Sequence, residues 1–438
     1  MGKVSDVSTL IDDLEWRGAI AQTTDREQLV ARLIEGPIAL YCGFDPTAPS
    51  LHLGHLVPLL MLRRFQQAGH RPIAVVGGAT GLIGDPSGRS SERSLNTGDT
   101  VAEWVQRLRT QIEHFVDFDS GEANEGALVS NLDWTKDLST IDFLRDIGKH
   151  FSVNVMLSKD SVKSRLEDQG ISFTEFSYMV LQSWDYLNLY REYGCRLQIG
   201  GSDQWGNITA GLDLIRRVEG SEAEQAFALT VPLVTKSDGA KFGKTEKGAI
   251  WLDPSMTSPY EFYQFWLNTD DRDIENFFKL FSLRPRDEIE SILSEQAEAP
   301  HSRVAQRSLA EEMTDLVHGQ AERESAVNAA KALFGGGDIA QVDERTLEAV
   351  LSTAGVVELD AADVRDDGMS VVDLLVDSGL VDSKGAARRA IKEGGAYLNN
   401  ERITDQEQIA TTDQLLHGRW WLLRRGKKNF AGVEVKRS

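Results

Sequence analysis

The sequence predicts an α/β fold: a Rossmann-like parallel-sheet domain, then an α-helical domain, then a small α+β domain. The first observation is that apolar runs suited to buried strands end in polar or glycine-rich loops and lead into helical periodicity, as at Pro37–Phe44 and Leu53–Ala68. The same order recurs at 73–81, 128–130 and 197–207. This alternation favours a parallel sheet with helices on both faces and a ligand crevice at the carboxyl ends of its strands. The second observation is that glycine is scarce from 259 to 332, where several segments have helical spacing. It predicts the α-helical domain.

Composition narrows the class of protein. The chain has 438 residues, of which 41% are hydrophobic and 26% charged, so it is globular rather than disordered or fibrous. No apolar run approaches the roughly 20 residues of a membrane helix, and no secretory pattern begins the chain, so we expect no membrane partner. Two cysteines, Cys42 and Cys195, are too few for a disulfide framework or a zinc site. We therefore expect a cytoplasmic protein.

The charge is unevenly distributed. Residues 381–438 carry 12 Lys and Arg against 7 Asp and Glu, a balance of +5, whereas the formal net charge of the whole chain is −21. The preceding 380 residues therefore carry −26. An acidic body repels nucleic acid at long range and a basic tail attracts it, although many basic tails are merely solvated ends.

Four segments are expected from these shifts in composition. Residues 1–258 form the Rossmann-like domain and 259–334 the helical domain. Residues 335–369 are predicted to be an acidic linker, because 338–377 contain 11 acidic and 2 basic side chains. Residues 370–438, with two helical segments and strands rich in tryptophan, form the last domain.

Two histidines stand where the first strand leads into the first long helix. His52 and His55 are three residues apart and face one side of the helix start, where free backbone N–H groups and the helix dipole favour a phosphate. Gly54 between them leaves room for a flat base or sugar. Half a zinc site and a surface histidine pair are the alternatives, and zinc is disfavoured because no further Cys or His lies nearby.

A lysine-rich loop, Lys241-Phe242-Gly243-Lys244-Thr245, lies far downstream. Its two lysines can close over a polyphosphate as mobile positive charges. Taken alone, the segment is more simply an ordinary basic turn.

Together and in this order, the two motifs resemble the HIGH and KMSKS signatures of class I aminoacyl-tRNA synthetases. Leu53 replaces Ile, and Phe242, Gly243 and Thr245 replace Met, Ser and Ser, while both histidines and both lysines are retained. More narrowly, the chain is similar to the bacterial tyrosyl-tRNA synthetase family along essentially its whole length. The segments that carry this resemblance are YCGFDPT at 41–47, GDPSG at 84–88, GGSDQWGN at 200–207 and KFGKT at 241–245.

The resemblance implies a site for L-tyrosine. It places Tyr41 and Asp185 at the phenol of the substrate. At its ammonium group it places Tyr178, Gln182 and Asp85, and it adds Gln198 to the same site. Tyr178, Gln182 and Asp185 also fall on one face of a helix predicted over 173–190, which by itself would equally suit a solvated face. A buried pair that requires a hydroxyl rejects phenylalanine, which would leave both groups unpaired.

The resemblance also implies that ATP is a substrate, bound with Mg²⁺ through its phosphate oxygens, and no protein-bound metal is predicted. Thr47, His52, Lys241 and Lys244 are expected to stabilise charge on the leaving pyrophosphate, and His55 to orient the nucleotide. Asp203 is placed at the ribose, with a helix N-cap as the alternative role, and Gln204 beside the reacting groups. The full ATP-binding set is Gly43, Asp45, His52, Gly54, His55, Gly201, Asp203, Gln204, Lys241, Lys244 and Thr245.

The tail carries basic residues in a helical pattern. Lys384, Arg388 and Lys392 recur every four residues, Arg389 widens this face, and Arg424 and Arg425 follow on the last strands. Such a surface suits folded RNA, and the pattern resembles the S4 RNA-binding domain of bacterial tyrosyl enzymes, whose partner is tRNA(Tyr). A solvated amphipathic helix is the alternative.

Three other functions fit parts of the sequence. A tryptophanyl-tRNA synthetase shares the catalytic fold but is expected to lack the Tyr41/Asp185 pair and the tail. A simple adenylyltransferase with an HxGH motif needs far fewer residues, and an inactive RNA-binding homologue would not need intact motifs. The family implies a homodimer, which nothing in the sequence shows directly.

Overall fold

The computed structural model describes residues 8–87, 96–159, 162–163, 165–166, 170–220, 223–245, 248–333, 337–360, 364, 368–426 and 429–436. They form two compact units. One comprises Met1–Asp253 and Asp270–Ala305, and the other Pro254–Thr269 and Gln306–Ser438. No helix among the residues described is long and apolar enough to cross a bilayer.

A six-stranded sheet is the centre of the first unit. In spatial order its strands are β1 (Gln22–Thr23), β6 (Phe227–Val231), β5 (Cys195–Gly201), β2 (Ala39–Phe44), β3 (Arg71–Val76) and β4 (Ala127–Ser130). All neighbours are parallel except β1, which pairs antiparallel with β6. The chain winds outward from β2 to β4 on one side and from β5 to β6 on the other. The β2–β5 pair is therefore the switch point, and the predicted Rossmann-like sheet is confirmed.

Both faces of this sheet are buried, as the continuous apolar strands require. Tyr41, Ile73 and Val75 point to one face and pack with Tyr186 and Leu214 in a single core cluster. Alternate residues of the same strands are buried on the other face. The principal helices of this unit are Ser8–Trp16, Arg26–Glu35, Leu56–Gln67, Gly98–Ile112, Phe173–Glu192, Trp205–Glu219, Ile274–Phe281 and Arg286–Glu298.

Local signals explain where these helices begin. The side chain of Ser172 accepts from the backbone N–H of Glu175, which starts the 20-residue helix Phe173–Glu192. Thr97 caps Gly98–Ile112 in the same way. Short helices or helical turns at Thr80–Ile83, Leu132–Thr135, Thr140–Asp142 and Val153–Leu157 fill the connections around the sheet.

The second unit contains helices and a smaller sheet. Its helices are Pro259–Leu267, Val304–His318, whose first two residues belong to the first unit, Gln320–Leu333, Glu344–Ala354, Val371–Asp377 and Lys384–Lys392. Five strands form one sheet in the order Glu401–Arg402, Ala396–Leu398, Trp420–Arg425, Asn429–Lys436 and Val356–Asp360. Trp421, Leu423 and Val433 pack from this sheet against Leu374 and Ile391 of two helices. The predicted α+β domain is therefore present.

The boundaries of the units differ from the predicted segments. Helices 274–281 and 286–298, expected with the helical domain 259–334, pack in the first unit. The expected linker 335–369 contains the helix Glu344–Ala354 and a strand, Val356–Asp360, that pairs parallel with the last strand. The acidic side chains are compatible with this because the apolar Leu347, Val350 and Leu351 of that helix are the buried ones.

Candidate active site

The predicted site residues of the first unit gather at the carboxyl ends of β2 and β5. Tyr41 on β2 lies directly opposite Gln198 on β5 in the register. Asp45 follows β2, and the short helix Ser202–Gln204 follows β5. The parallel pairing therefore brings segments about 150 residues apart in the chain to one crevice.

Three side chains, on β2, on β5 and on the helix Phe173–Glu192, carry buried polar atoms that lack partners among the described residues. The hydroxyl of Tyr41, which is 2% exposed, has no hydrogen-bond partner among the described residues. The same holds for the amide oxygens of Gln182 and Gln198. Burial raises the pKa of Tyr41 well above its usual range, so its hydroxyl stays protonated. Unsatisfied groups of this kind are costly, and a polar ligand would satisfy them.

Asp185 lies in the same pocket and is held by two side chains that the sequence did not indicate. The amide of Asn131 donates to one carboxylate oxygen at 2.9 Å, and the indole N–H of Trp134 donates to the other at 2.8 Å. Burial nevertheless raises the pKa of Asp185 to about 7, against the effect of both hydrogen bonds. Asn131 directly follows β4, so a polar residue at a strand end was the available signal.

A second group of polar side chains in the crevice contains the carboxylates of Asp45 and Asp85. Tyr178 donates its hydroxyl to Asp45 at 2.7 Å, and Thr80 donates to the second oxygen of Asp45 at 2.6 Å. The amide of Gln204 donates to Asp85 at 2.6 Å. After burial, the charges of Asp45, Asp85 and Asp185 all raise the pKa of Tyr178. Three carboxylates around one buried phenol make this carboxylate-rich end of the crevice suitable for a cation.

The histidine pair has a defined tautomer. Nδ1 of His52 accepts from the backbone N–H of Gly54 at 3.0 Å, and Nδ1 of His55 accepts from the backbone N–H of His52 at 3.1 Å. In the neutral rings the proton is therefore on Nε2, which is available as a donor. Burial lowers the pKa of His52, with a contribution from Lys244, and lowers that of His55 further. Gly54 is required because a Cβ there would lie 2.8 Å from the His52 ring.

The lysine loop is tied to this histidine segment by backbone hydrogen bonds. Ile250 donates its N–H to the carbonyl of Gly243 at 2.9 Å, and its own carbonyl accepts from Leu53 at 3.0 Å. Gly243 has φ +72°, and a Cβ there would meet Leu53 at 2.9 Å, so glycine is needed twice over. Both lysines, Lys241 and Lys244, are exposed. The two motifs, which are far apart in sequence, are thus neighbours in the fold.

The remaining nucleotide residues lie around the crevice. Gly43 and Thr47 are exposed at the end of β2, and Asp203 is exposed beyond β5. Asp203 is not a helix N-cap, since Gly201 and Gln204 occupy the N-cap positions of the two successive helices. Thr245 contributes backbone to the hairpin of Lys244–Thr245 with Gly248–Ala249, and Gly88 of the GDPSG segment lies outside the described residues.

The basic residues of the second unit fall into two groups. Arg388, Arg389 and Lys392 are exposed on the helix Lys384–Lys392, whereas Lys384 forms an ion pair with Asp373 at 2.8 Å. Arg424 is 7% exposed, lies 3.9 Å from the ring centroid of Tyr397, and donates to the carbonyl of Gly426, so its guanidinium is part of the packing. Arg425 is exposed and donates to the carbonyl of Leu380.

A neutral histidine pair at a helix start, bonded to a lysine loop at the switch point of a parallel sheet, defines the class I aminoacyl-tRNA synthetase type. Comparison with known proteins agrees. A sequence model of tRNA synthetases class I (W and Y) matches residues 33–335. A model of the tyrosine–tRNA ligase SYY-like C-terminal domain matches 353–433. The chain belongs to this family, and within it to the tyrosine–tRNA ligases.

The relatives support this membership over nearly the full chain. The tyrosine–tRNA ligase of Streptomyces coelicolor is 57% identical over 430 residues, covering 98% of this chain and 99% of its own. That of Acidothermus cellulolyticus is 57% identical over 427 residues, covering 97% and 99%. Among solved structures, a C-terminally truncated mitochondrial tyrosyl-tRNA synthetase from Aspergillus nidulans has a TM-score of 0.67 at 32% identity, covering 76% of this chain and 95% of that one.

The pKa of Asp185 gives a pH prediction. An ionised Asp185 accepts a hydrogen bond from a phenol more strongly than its protonated form does, and burial raises the pKa of Asp185 to about 7. We expect the affinity for tyrosine, measured by calorimetric titration, to rise from about pH 6 to about pH 8 and then to level. His52 and His55 do not produce this rise, because burial lowers their pKa values.

Asp185→Asn is the matched control, because it keeps the size of the side chain and removes the titration. Its tyrosine affinity is expected to be weak and independent of pH over this range. The same raised pKa makes the free folded protein less stable as pH rises from about 4 to about 7, since the unfolded chain releases the proton at lower pH. A wild-type affinity that does not change between pH 6 and pH 8 would exclude this role for Asp185.

Proposed function

We propose that this chain joins L-tyrosine to tRNA(Tyr) through a tyrosyl-adenylate formed from ATP at the crevice of the first unit. Family membership supports this reaction, and the observation that carries the choice of tyrosine is the buried phenol pocket. The Tyr41 hydroxyl and the ionised Asp185 carboxylate offer one donor and one acceptor. A substrate hydroxyl satisfies both, and phenylalanine satisfies neither.

The carboxylate-rich end takes the ammonium group of the same substrate. Asp45 already accepts from Tyr178 and Thr80, and Asp85 from Gln204. A cation between these groups relieves the repulsion between the half-buried carboxylates of Asp45 and Asp85. By resemblance to the family, Tyr178, Gln182 and Asp85 are assigned to the ammonium group, and Gln198 is assigned to the same tyrosine site.

In the first step the tyrosine carboxylate attacks the α-phosphorus of ATP and displaces pyrophosphate. No general base is needed, because a carboxylate is already ionised at neutral pH. The Nε2–H group of His52, the hydroxyl of Thr47 and the ammonium groups of Lys241 and Lys244 supply donors and positive charge for the phosphates. His55 orients the nucleotide. ATP enters as its magnesium complex, with the ion held mainly by phosphate oxygens. In the second step a terminal ribose hydroxyl of the tRNA attacks the adenylate carbonyl, loses its proton and displaces AMP, which leaves tyrosine as an ester on the tRNA.

The test of this function is amino-acid-dependent exchange of pyrophosphate into ATP. We expect exchange with tyrosine, and none with phenylalanine or tryptophan at the same concentration. Exchange with tryptophan but not tyrosine would favour the tryptophanyl alternative, and no exchange with any amino acid would favour an inactive RNA-binding homologue.

Lys244→Ala separates transition-state stabilisation from binding. We expect single-turnover adenylate formation to slow by ~10²-fold or more, because the lysine meets charge that develops on the leaving group. Tyrosine affinity is expected to stay within about twofold. Lys149→Ala, which changes another lysine of the same unit, is the control and is expected to leave both quantities unchanged. Equal losses in affinity and rate would contradict the assignment.

The exposed residues Arg388, Arg389 and Lys392 are proposed to contact tRNA phosphates. Replacing all three with Ala is expected to reduce the slope of log affinity against log salt by about one unit for each phosphate that is no longer neutralised, measured by filter binding. Arg424→Ala is the contrasting variant, because its buried guanidinium stacks on Tyr397. It is expected to lower the melting temperature and leave the salt slope unchanged. An unchanged slope in the triple variant would exclude this surface.

We propose that the protein is a homodimer whose interface is formed by exposed apolar side chains of the first unit. We also propose that it acts in the cytoplasm, where its substrates are found. Eight of the twelve large apolar side chains that are exposed among the described residues lie between 132 and 173, including Ile141 at 68% and Phe173 at 76%. Such clustering is typical of a protein interface. Because the family resemblance implies a homodimer, a second copy of the chain is the occupant we assign.

The dimer is tested by analytical ultracentrifugation. We expect the wild-type chain to sediment at twice its mass of 48.5 kDa, and Ile141→Asp with Val153→Asp to sediment as a monomer. Leu233→Asp, which changes an apolar side chain 59% exposed elsewhere, is expected to remain dimeric. A monomeric wild-type chain would overturn the proposal.

A further inference from the structure

The lysine loop contains a buried aromatic side chain, Phe242. This side chain packs on a helix that lies outside the alternating strands and helices of the central sheet. Phe242 is 8% exposed and stands between the exposed Lys241 and Lys244. Its ring contacts Phe277 edge-on at a centroid distance of 4.9 Å and stacks on Phe281 at 5.0 Å. Both partners belong to the helix Ile274–Phe281. The loop is therefore fixed to this helix by an aromatic cluster.

The same helix holds the segment before the loop. The backbone N–H of Ser237 donates to Asp273 at 2.9 Å, and Asp273 is the 6%-exposed N-cap residue of Ile274–Phe281. Lys241 in turn forms an isolated backbone bridge with Thr235. The segment 235–242 is thus attached to both ends of one helix, through Asp273 at its start and Phe281 at its end.

The helix Ile274–Phe281 is itself fixed to the part of the unit that carries the histidines. Arg64, 6% exposed, donates to the carbonyls of Leu280 at 2.7 Å and Ser282 at 2.9 Å. Arg17 donates to the carbonyls of Lys279, Ser282 and Arg284 at 2.8 to 3.1 Å. Positively charged donors at the carboxyl end of a helix satisfy its free carbonyls and its dipole.

Arg64 links the segment that carries the histidines to the helix on which the lysine loop packs. It lies in the helix Leu56–Gln67, which begins directly after His55. The histidines are at one end of that helix, and Arg64 near its other end holds the helix on which Phe242 rests. The position of the two lysines relative to the two histidines therefore depends on a continuous path of packed side chains and hydrogen bonds.

We propose that Phe242 is a positioning residue for adenylate formation, whose aromatic contacts with Phe277 and Phe281 hold Lys241 and Lys244 opposite the histidine pair. The inference rests on the proposed tyrosine activation. Lysine side chains are long, and Gly239 and Gly243 make the backbone around them adaptable. Such side chains sample many arrangements unless the backbone is anchored. If the anchor is removed, the fraction of molecules with a competent loop falls, and the rate falls in proportion.

The first variant removes the anchor and leaves both lysines in place. In the full-length Phe242→Ala enzyme, single-turnover adenylate formation at saturating ATP and tyrosine is expected to slow by about 10-fold or more. The dissociation constant of tyrosine is expected to stay within about twofold, because the phenol pocket is built from other residues. A purely structural role would instead weaken tyrosine binding and lower the melting temperature together.

Conservative replacement and a matched control make the test specific. Phe242→Met keeps an apolar side chain of similar volume, and is the residue found at this position in the class signature, so it is expected to retain most of the rate. Phe115→Ala removes another phenylalanine of the same unit that is 3% exposed, and is expected to reduce stability without a selective loss of rate. Phe277→Leu is expected to slow adenylate formation less in the Phe242→Ala background than in the wild type, because the ring of Phe242 that it would meet is already absent.

The possible outcomes distinguish this inference from the proposed function. If the wild-type chain shows no tyrosine-dependent exchange, the proposed function fails. If the wild type is active and a folded Phe242→Ala variant forms adenylate at the wild-type rate, only the positioning role of Phe242 fails. A parallel loss of tyrosine affinity and rate in Phe242→Ala would also overturn it, as would additive effects of the Phe242 and Phe277 changes.

Discussion

The parallel pairing of β2 with β5 is the constraint on which the catalytic unit depends. It sets Tyr41 opposite Gln198 and directs both strands toward the same edge of the sheet. Strand order reverses at this pair, so the segments that follow diverge to opposite sides and leave a crevice between them. Gly43 lies on β2 and Asp45 follows it, while Asp203 and Gln204 follow β5. A one-residue shift in register would turn Tyr41 into the opposite layer of the core.

Electrostatics divide the crevice into two parts of opposite character. The half-buried carboxylates of Asp45 and Asp85 and the buried carboxylate of Asp185 lie close enough to Tyr178 to raise its pKa. The histidines remain neutral because burial disfavours their charged form, and the mobile positive charge comes from Lys241 and Lys244 on the exposed loop. In the proposed reaction, an amino acid whose ammonium group binds near Asp45 and Asp85 presents its carboxylate toward phosphates bound by the histidines and lysines. Under the proposed function, the Tyr41 hydroxyl, which has no partner among the described residues, would gain one from a hydroxyl-bearing substrate and not from phenylalanine.

Much of the fold was predictable because periodicity and loop chemistry are local properties. The strand at 39–44, the helix from Leu56 and the glycine-bearing turns were visible in the order of apolar and polar residues, and so were the histidine and lysine motifs. The acidic stretch from 338 was interpreted as part of a linker because a count of charges does not show which side of a helix is buried. Leu347, Val350 and Leu351 are buried, so 344–354 is a packed helix. Arg424 was grouped with the surface arginines for the same reason, although it is buried on Tyr397.

Apolar periodicity and loop chemistry thus predicted the class of fold, and the resemblance of the motifs to a known family implied the substrate types and the residues of the crevice. Tertiary structure decided which of those residues meet. Tyr178 bonds to Asp45 across 133 residues, and Asn131 and Trp134 hold Asp185. The packing of the lysine loop on Phe277 and Phe281 could not be predicted from the sequence either, although Phe242 itself is part of the lysine motif. Such contacts depend on strand order, register and the direction of each side chain, which arise from packing the whole chain at once, whereas a motif records only neighbours along it.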